Sequence, residues 1–515
     1  MNMLVGYGSI AVFFVLVVVV LERSRRTTRD FSDYVVAGRS FGSWYQTMSF
    51  LNTWLPGSVF IAFTGLAAGS GVIGFYYLPY SLLAMVLMYF MAQRVHDWGR
   101  QFDLRTLADF VGLRFGSRHV RTVAAVIGIA ASFPWMVLGL QSLGLVFSYL
   151  SFGRVSPNAA ILISIGFLAL RQIWTVRMGM RGVVVSDMVQ GLVAYGLGLC
   201  AILGLLVWLL THGHTLGRVP GTFFSLPGPG SGAGPLYLMS IVLTGALGGW
   251  CWPDIFVRLF TARSAAVIKR SAVQAAPIVF VFITALSLLG ILAATVPGVS
   301  HAPDEVWFIT AHAGGTLLVA LAGVIVLAAT MGNVDGNLQA CGALFTNDIL
   351  PSREGGPGRS DDGRETATTK AAVIVLTVLA ALAAAATMTS GNLVSLAIIS
   401  YQGISQLAPA LFLGIFWRRG TAVGAIGAMV SGFAVAAALQ VVYPTSIPWL
   451  GGLTSGVAGL IVNTAVYVGV ALVGPRSPAE EARIAALFEG VADVCPDGVP
   501  ADSVPHALLR TAEEG

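Results

Sequence analysis

Thirteen apolar runs of bilayer-spanning length, each bounded by short polar or charged stretches, organise this chain of 515 residues. They lie near 3–21, 43–69, 72–93, 121–150, 157–173, 182–210, 236–257, 271–296, 315–345, 370–389, 391–416, 421–443 and 449–473. A hydrocarbon core about 30 Å thick takes about 20 residues of helix, so the pattern predicts an all-α polytopic membrane protein of thirteen transmembrane helices. The first run has no basic residue before it and is followed by Arg23, Arg25, Arg26 and Arg29, the order of a retained helix rather than a cleaved leader.

The basic residues test the count. An alternating path that starts outside puts 27 of the 29 Lys and Arg residues on one side, leaving Arg154 and Arg218 on the other. Lys and Arg gather in cytoplasmic loops, so the expected arrangement is a cell-membrane protein with its N-terminus outside and its C-terminus cytoplasmic. One miscounted span would invert every later loop and destroy the asymmetry. Between spans, residues 98–118 carry Leu104, Leu107, Phe110, Val111 and Phe115 at helical spacing among charges, which predicts an amphipathic helix on the cytoplasmic membrane surface. Residues 351–368 read as a flexible linker, and Ser477, Pro478 and Glu480 form a capping-box start to a short tail helix that Gly490 ends.

Composition narrows the class. Hydrophobic residues make up 56% and charged residues 10%, where a soluble domain carries about 25% charged, so most of the chain faces lipid or itself. The net charge of +5 sits in loop clusters and offers no nucleic-acid face. Cys200, Cys251, Cys341 and Cys495 show no CxxC spacing, and the histidines fall in loops, in the tail or at span ends. No disulfide framework, zinc site or other cofactor is indicated. HExxH, GxSxG and phosphate-binding glycine loops are missing, so no catalytic residue is expected.

Two spans are interrupted. The second contains TWLPGS (Thr53 to Ser58), where Pro56 removes a backbone donor and Gly57 a conformational restraint. The seventh contains GALGGWCWPD (Gly245 to Asp254), with Gly248, Gly249 and Pro253. Each break opens a five-span unit, which predicts an N-terminal helix and loop (1–42), a first repeat (43–210), an outer loop (211–235), a second repeat (236–416), two further helices (417–473) and a tail (474–515). Paired interruptions in corresponding places mark transporter sites, because broken helices expose carbonyls to a cation and half-helix N–H groups to an anion. Trp54, Trp250 and Trp252 beside the breaks are candidates to line a solute cavity.

Acids at membrane depth cost roughly 2.5–3.5 kcal/mol each to insert, so those retained are functional candidates. Asp187 lies in SDMVQ near the start of the sixth span, and Asp335 lies in MGNVDGNLQ with Asn333, Asn337 and Gln339 close by and no basic neighbour in sequence. Either suits a sodium ion or a proton. Asp254 has Arg258 four residues on, the spacing of a helical salt bridge.

Six strings in order, DYVVAGRSFGSW (Asp33 to Trp44), LRFGSRHVR (Leu113 to Arg121), SDMVQG (Ser186 to Gly191), WPDIFVRLFTARS (Trp252 to Ser264), ALFTNDIL (Ala343 to Leu350) and PALFLGIFWRRGT (Pro409 to Thr421), together resemble the sodium/solute symporter family over about 390 residues. The resemblance implies a LeuT-like inverted repeat of five plus five helices, with one extra helix before and two after, working by alternating access. It also implies a sodium site that joins the carbonyls of Asn52 and Leu55 to the positions of Gly332 and Asn333, where the family's hydroxyl pair is missing. Asp187 is the acid tied to sodium coupling in relatives, and Asp335 is placed to add an oxygen or a charge.

The expected activity is sodium-coupled import of a small polar metabolite. Trp54, Leu55 and Pro56 at the first break are poor partners for a sugar's hydroxyls, so a monocarboxylate or similar organic anion is preferred, its carboxylate at the half-helix N-terminus near Gly57 and Ser58. Two other readings stand beside it: proton coupling through Asp335 or Asp187, and a transporter-like membrane sensor signalling through the tail. The expected partners are the solute, sodium and the bilayer; nothing in the sequence sets the oligomeric state.

Overall fold

Side-chain caps set where several helices begin. Thr106 accepts the N–H of Asp109 at 2.9 Å, Ser264 that of Val267 at 3.3 Å, Thr421 that of Gly424 at 3.1 Å and Ser477 that of Glu480 at 3.1 Å. Each answers a donor that a first helical turn leaves free. The structure, a computed structural model, describes residues 2–25, 30–226, 234–350, 362–387, 393–474 and 477–489. Most of the linker expected at 351–368, and the tail from Gly490 on, lie outside the described residues.

Among the described residues every regular element is helical. In chain order the main helices are α1 (Asn2–Ser24), α2 (Ser43–Trp54), α3 (Thr64–Ser70), α4 (Tyr77–Gln101), α5 (Leu107–Phe115), α6 (Arg118–Leu150), α7 (Pro157–Gly191), α8 (Gly198–Thr211), α9 (Tyr237–Gly248), α10 (Pro253–Thr261), α11 (Ala265–Ala293), α12 (Gly315–Leu344), α13 (Asp362–Thr387), α14 (Leu393–Ile404), α15 (Ala422–Val442), α16 (Ser455–Val473) and α17 (Pro478–Glu489). Ten described stretches are long and apolar enough to cross a membrane, or eleven when α9 and α10, bent by 49°, are taken as one span. Two of the ten, Val59–Gln101 with 43 residues and Ala159–Thr211 with 53, are about twice the length of one crossing. There the helix runs on from one expected apolar run into the next, so helix length gives ten or eleven segments where thirteen runs were expected.

The expected loop between the fifth and sixth runs is such a join. Helix α7 continues through it with a single break at Gly179, whose φ of 59° and ψ of −149° suit glycine, and where a Cβ would run into the Tyr34 carbonyl. Arg171, expected among that loop's basic residues, is buried inside the bundle. Arg258, expected at the head of the next loop, is buried as well. With Arg114, which is also buried, at least three of the 27 arginines and lysines assigned to loops are thus interior groups.

Helix α12 forms the centre. Nearly every residue from Val319 to Leu344 is buried, against α1, α2, α6, α7, α10 and α13, so the helix shows no exposed polar stripe. Helix α5 also departs from expectation. Leu107, Phe110, Val111 and Phe115 are buried against protein rather than laid on a membrane surface, and the helix starts only at Leu107 because α4 runs to Gln101 and Asp103 then adopts a φ of 47°.

Tail helix α17 closes over the arginine-rich end. Trp98 of α4 donates to the Leu487 carbonyl at 3.1 Å, and Arg483 donates to the carbonyls of Leu113 and Arg114 at 3.0 and 3.2 Å. Phe488 faces the guanidinium groups of Arg94, Arg114 and Arg418 at 4.6, 5.3 and 5.4 Å from its ring centre, each a cation–π contact worth roughly 0.5–1 kcal/mol. Phe488→Ala is expected to loosen the helix, read as at least tenfold faster trypsin cleavage at Arg483. Cleavage as slow as in the wild type would show that other contacts hold it.

Candidate functional site

Two helix breaks meet in the middle of the bundle. Helix α2 ends with the Leu55 N–H on the Leu51 carbonyl at 2.7 Å; Pro56 has no N–H to continue the ladder, and Val59 restarts it on the Pro56 carbonyl at 2.9 Å. On the other side α9 gives way at Gly249–Cys251, and Pro253 opens α10. A Cβ on Gly249 would enter the Trp54 ring, and one on Gly57 would strike Thr330 and the Val326 carbonyl of α12. Both breaks therefore allow close packing. Trp250 stacks on Phe50 and Trp54 at 5.5 and 6.1 Å between ring centres and donates to the Ala84 carbonyl at 2.7 Å.

Beside the breaks lies a buried polar centre. The Asp187 carboxylate accepts from Ser49 at 2.6 Å, from the Asn52 amide at 2.9 Å and from the Arg258 guanidinium at 3.1 Å. Arg258 also donates to Ser49 at 2.9 Å, to the Asp254 carbonyl at 2.7 Å and to the Gly332 carbonyl at 3.4 Å. The expected pairing of Arg258 with the Asp254 carboxylate is therefore corrected. The guanidinium leans across to α2 and α7, and Asp254 offers it only a backbone oxygen. The Tyr195 hydroxyl lies 2.9, 3.0 and 3.2 Å from the Leu51 carbonyl, the Leu55 carbonyl and the Asn52 side-chain oxygen, so four oxygens converge at the first break.

Asp335 is the second correction. It has no basic neighbour in sequence, yet Arg171 of α7 stands 3.2 Å from its carboxylate, with both groups buried, and Gln172 donates to it at 3.0 Å. Arg171 is held in turn by Thr175 and Ser186 at 3.1 and 2.8 Å. At the expected hydroxyl positions of α12, Asn333 donates to the Thr53 carbonyl at 3.2 Å and accepts from Trp135 at 3.0 Å. Gly332 leaves room for its neighbours, since a Cβ there would strike the Asn52 amide and the Asp187 carboxylate.

Between the breaks a cavity of about 10 Å³ is lined by Thr53, Trp54, Trp135, Trp252, Asp254, Ile255, Asn333 and Tyr401, close to the smallest volume that holds one water. The structure gathers Asn52, Leu55, Asp187, Gly332 and Asn333 around the first break and puts Asp335 with Arg171. Of the aromatic candidates, Trp54 and Trp252 face the cavity, while Trp250 lies behind Trp54. Gly57 and Ser58 lie off the cavity lining. Sequence reasoning passed over Gln46, Ser49, Arg171, Tyr195, Trp135 and Tyr401. Gln46, Ser49, Asn52 and Thr53 share one side of α2 at spacings of three and four, a polar stripe inside an apolar run that points to a buried site.

The sequence model of the Sodium:solute symporter family matches residues 34–432. A relative named "Uncharacterized symporter YhjB" from Bacillus subtilis (strain 168) is 25% identical over 495 residues, 89% of this chain and 94% of its own length. The "Monocarboxylic acid transporter" of Corynebacterium glutamicum is 21% identical over 462 residues, covering 84% of this chain and 82% of that protein. Among solved structures, a sodium-coupled sialic acid symporter in a substrate-bound, outward-open state superposes with a TM-score of 0.70 at 17% identity, over 92% of this chain and 98% of that one, a likeness of fold. The chain belongs to the Sodium:solute symporter family, whose members are secondary transporters and not enzymes.

Proposed function

We propose, from that family membership, that the protein couples the inward sodium gradient to import of a small carboxylate-bearing metabolite by alternating access. In this reading the chain crosses the cell membrane thirteen times, with five-helix repeats at 43–210 and 236–416, N-terminus outside and C-terminus cytoplasmic. The observation that carries the proposal is the meeting of two helix breaks at a buried polar centre beside an aromatic cavity, since broken helices free the carbonyls that can replace a cation's hydration shell. Sodium takes the Asn52 and Leu55 carbonyls together with Asp187, Gly332 and Asn333. Asp335, tied to Arg171, orients α12 from behind. The solute occupies the space between Trp54 and Trp252. The preference for a carboxylate draws on the named monocarboxylic acid relative.

Purified protein is expected to bind radioactive sodium saturably above a choline blank, with at least tenfold weaker binding in Asn333→Ala. In proteoliposomes, labelled pyruvate or alanine is expected to enter only down an inward sodium gradient. Uptake driven by a pH gradient in the absence of sodium would replace this reading with proton coupling.

A further inference from the structure

We infer that Asp254 and the rings around it form the binding place for a positively charged nitrogen on the transported solute, so that the substrate is a zwitterion carrying an ammonium group as well as a carboxylate. This rests on the proposed carboxylate import and narrows its substrate class. The first support is a count of buried charge. Asp187, Asp254 and Asp335 are all buried at the heart of the bundle. Arg258 pairs with Asp187 and Arg171 with Asp335, which leaves Asp254 as the acid of the three without a salt bridge of its own.

The second support is position. Neither Asp254 carboxylate oxygen accepts from any side chain, although the residue is 1% exposed. It forms part of the cavity wall, in the first turn of α10, where helix N–H groups favour negative charge. A buried carboxylate without a salt bridge is costly, and a ligand that brings a cation reduces that cost.

The third support is the aromatic part of the cavity wall. Trp135, Trp252 and Tyr401 stand 5.1, 5.4 and 5.7 Å apart between ring centres and line the same cavity. Aromatic faces attract an alkylammonium, and an aromatic box with one acid is the chemistry that recognises amines. Sodium calls for several hard oxygens, whereas four of the eight residues lining this cavity are aromatic, so the cavity suits an organic cation better than a bare ion. A simple monocarboxylate would bring a second negative charge beside Asp254. An α-amino acid meets both demands.

The test uses the full-length protein in proteoliposomes with an inward sodium gradient, and two labelled probes that differ only by the ammonium group, alanine and propionate. Wild type is expected to take up alanine at least tenfold faster than propionate. Asp254→Asn is expected to lose alanine uptake more than tenfold while keeping propionate uptake, and Asp254→Glu to retain part of the alanine uptake. Because Asn removes a charge that has no salt bridge of its own, Asp254→Asn is also expected to unfold at the wild-type temperature or above, which separates lost recognition from lost folding. Wild-type sodium-driven propionate uptake as fast as alanine uptake, or not inhibited by alanine, would overturn the inference and leave carboxylate import standing. Equal loss of both probes in Asp254→Asn, with uptake in wild type driven by a pH gradient alone, would make Asp254 a proton carrier and overturn it also. No sodium-dependent uptake of either probe by folded protein would sink both readings together.

Discussion

Arg258→Met is expected to abolish sodium-driven uptake and to cost about 3–5 kcal/mol of stability, the usual penalty for stripping one partner from a buried ion pair. Its guanidinium meets the Asp187 carboxylate at 3.1 Å with both side chains fully buried, and it also ties together Ser49 of α2 and the Gly332 carbonyl of α12. Removing it leaves Asp187 charged and facing two neutral donors, Ser49 and Asn52. The double variant Asp187→Asn with Arg258→Met is expected to regain most of the stability, because the orphaned charge is gone, and none of the uptake, because the cation site has lost its acid. Denaturation of refoldable protein by SDS would measure the first effect and proteoliposome flux the second. A single variant within about 0.5 kcal/mol of wild type, a typical surface-substitution effect, would show that the pair does not hold the centre together.

Gly332→Ser is the second large effect. Serine would restore one of the hydroxyls that the family resemblance places at this position, and on ligand chemistry alone it should improve sodium binding. Packing predicts the reverse. A Cβ at Gly332 would land on the Asn52 amide nitrogen and the Asp187 carboxylate, groups already fixed by Gln190, Tyr195 and Arg258. Overpacking of this kind costs roughly 1–3 kcal/mol and displaces Asn52, whose carbonyl is proposed to hold the ion. At least a tenfold loss of sodium affinity is expected, seen as a shift of half-saturation in sodium titrations of uptake. Tighter sodium binding in Gly332→Ser would mean that the site opens far enough in the ion-bound state to admit the side chain.

The two arginines show why the pairing of these acids is hidden in the sequence. Sequence shows Asp335 among Asn333, Asn337 and Gln339 with no base nearby, and shows Arg258 one turn from Asp254. Helical spacing makes Asp254 and Arg258 neighbours, but a long guanidinium can reach away from its own helix. Here it crosses to an acid 71 residues distant in the chain. Arg171 resembled a loop residue because it follows an apolar run and precedes Arg177 and Arg181; only the continuation of α7 to Gly179 carries it inside the bundle.

What the sequence by itself determined is everything that depends on contiguous residues. A bilayer demands about 20 apolar residues at a stretch, so the all-helical, many-span character of the chain was legible. Proline and paired glycines interrupt a helix wherever they stand, so both breaks were legible, and six ordered motifs marked the family. The tertiary structure alone decided which buried charges neutralise each other. At low dielectric a carboxylate is governed by whatever cation lies within about 4 Å, and that neighbour comes from another helix. The same packing that gave Asp187 to Arg258 and Asp335 to Arg171 left Asp254 as the unmatched acid on the cavity wall.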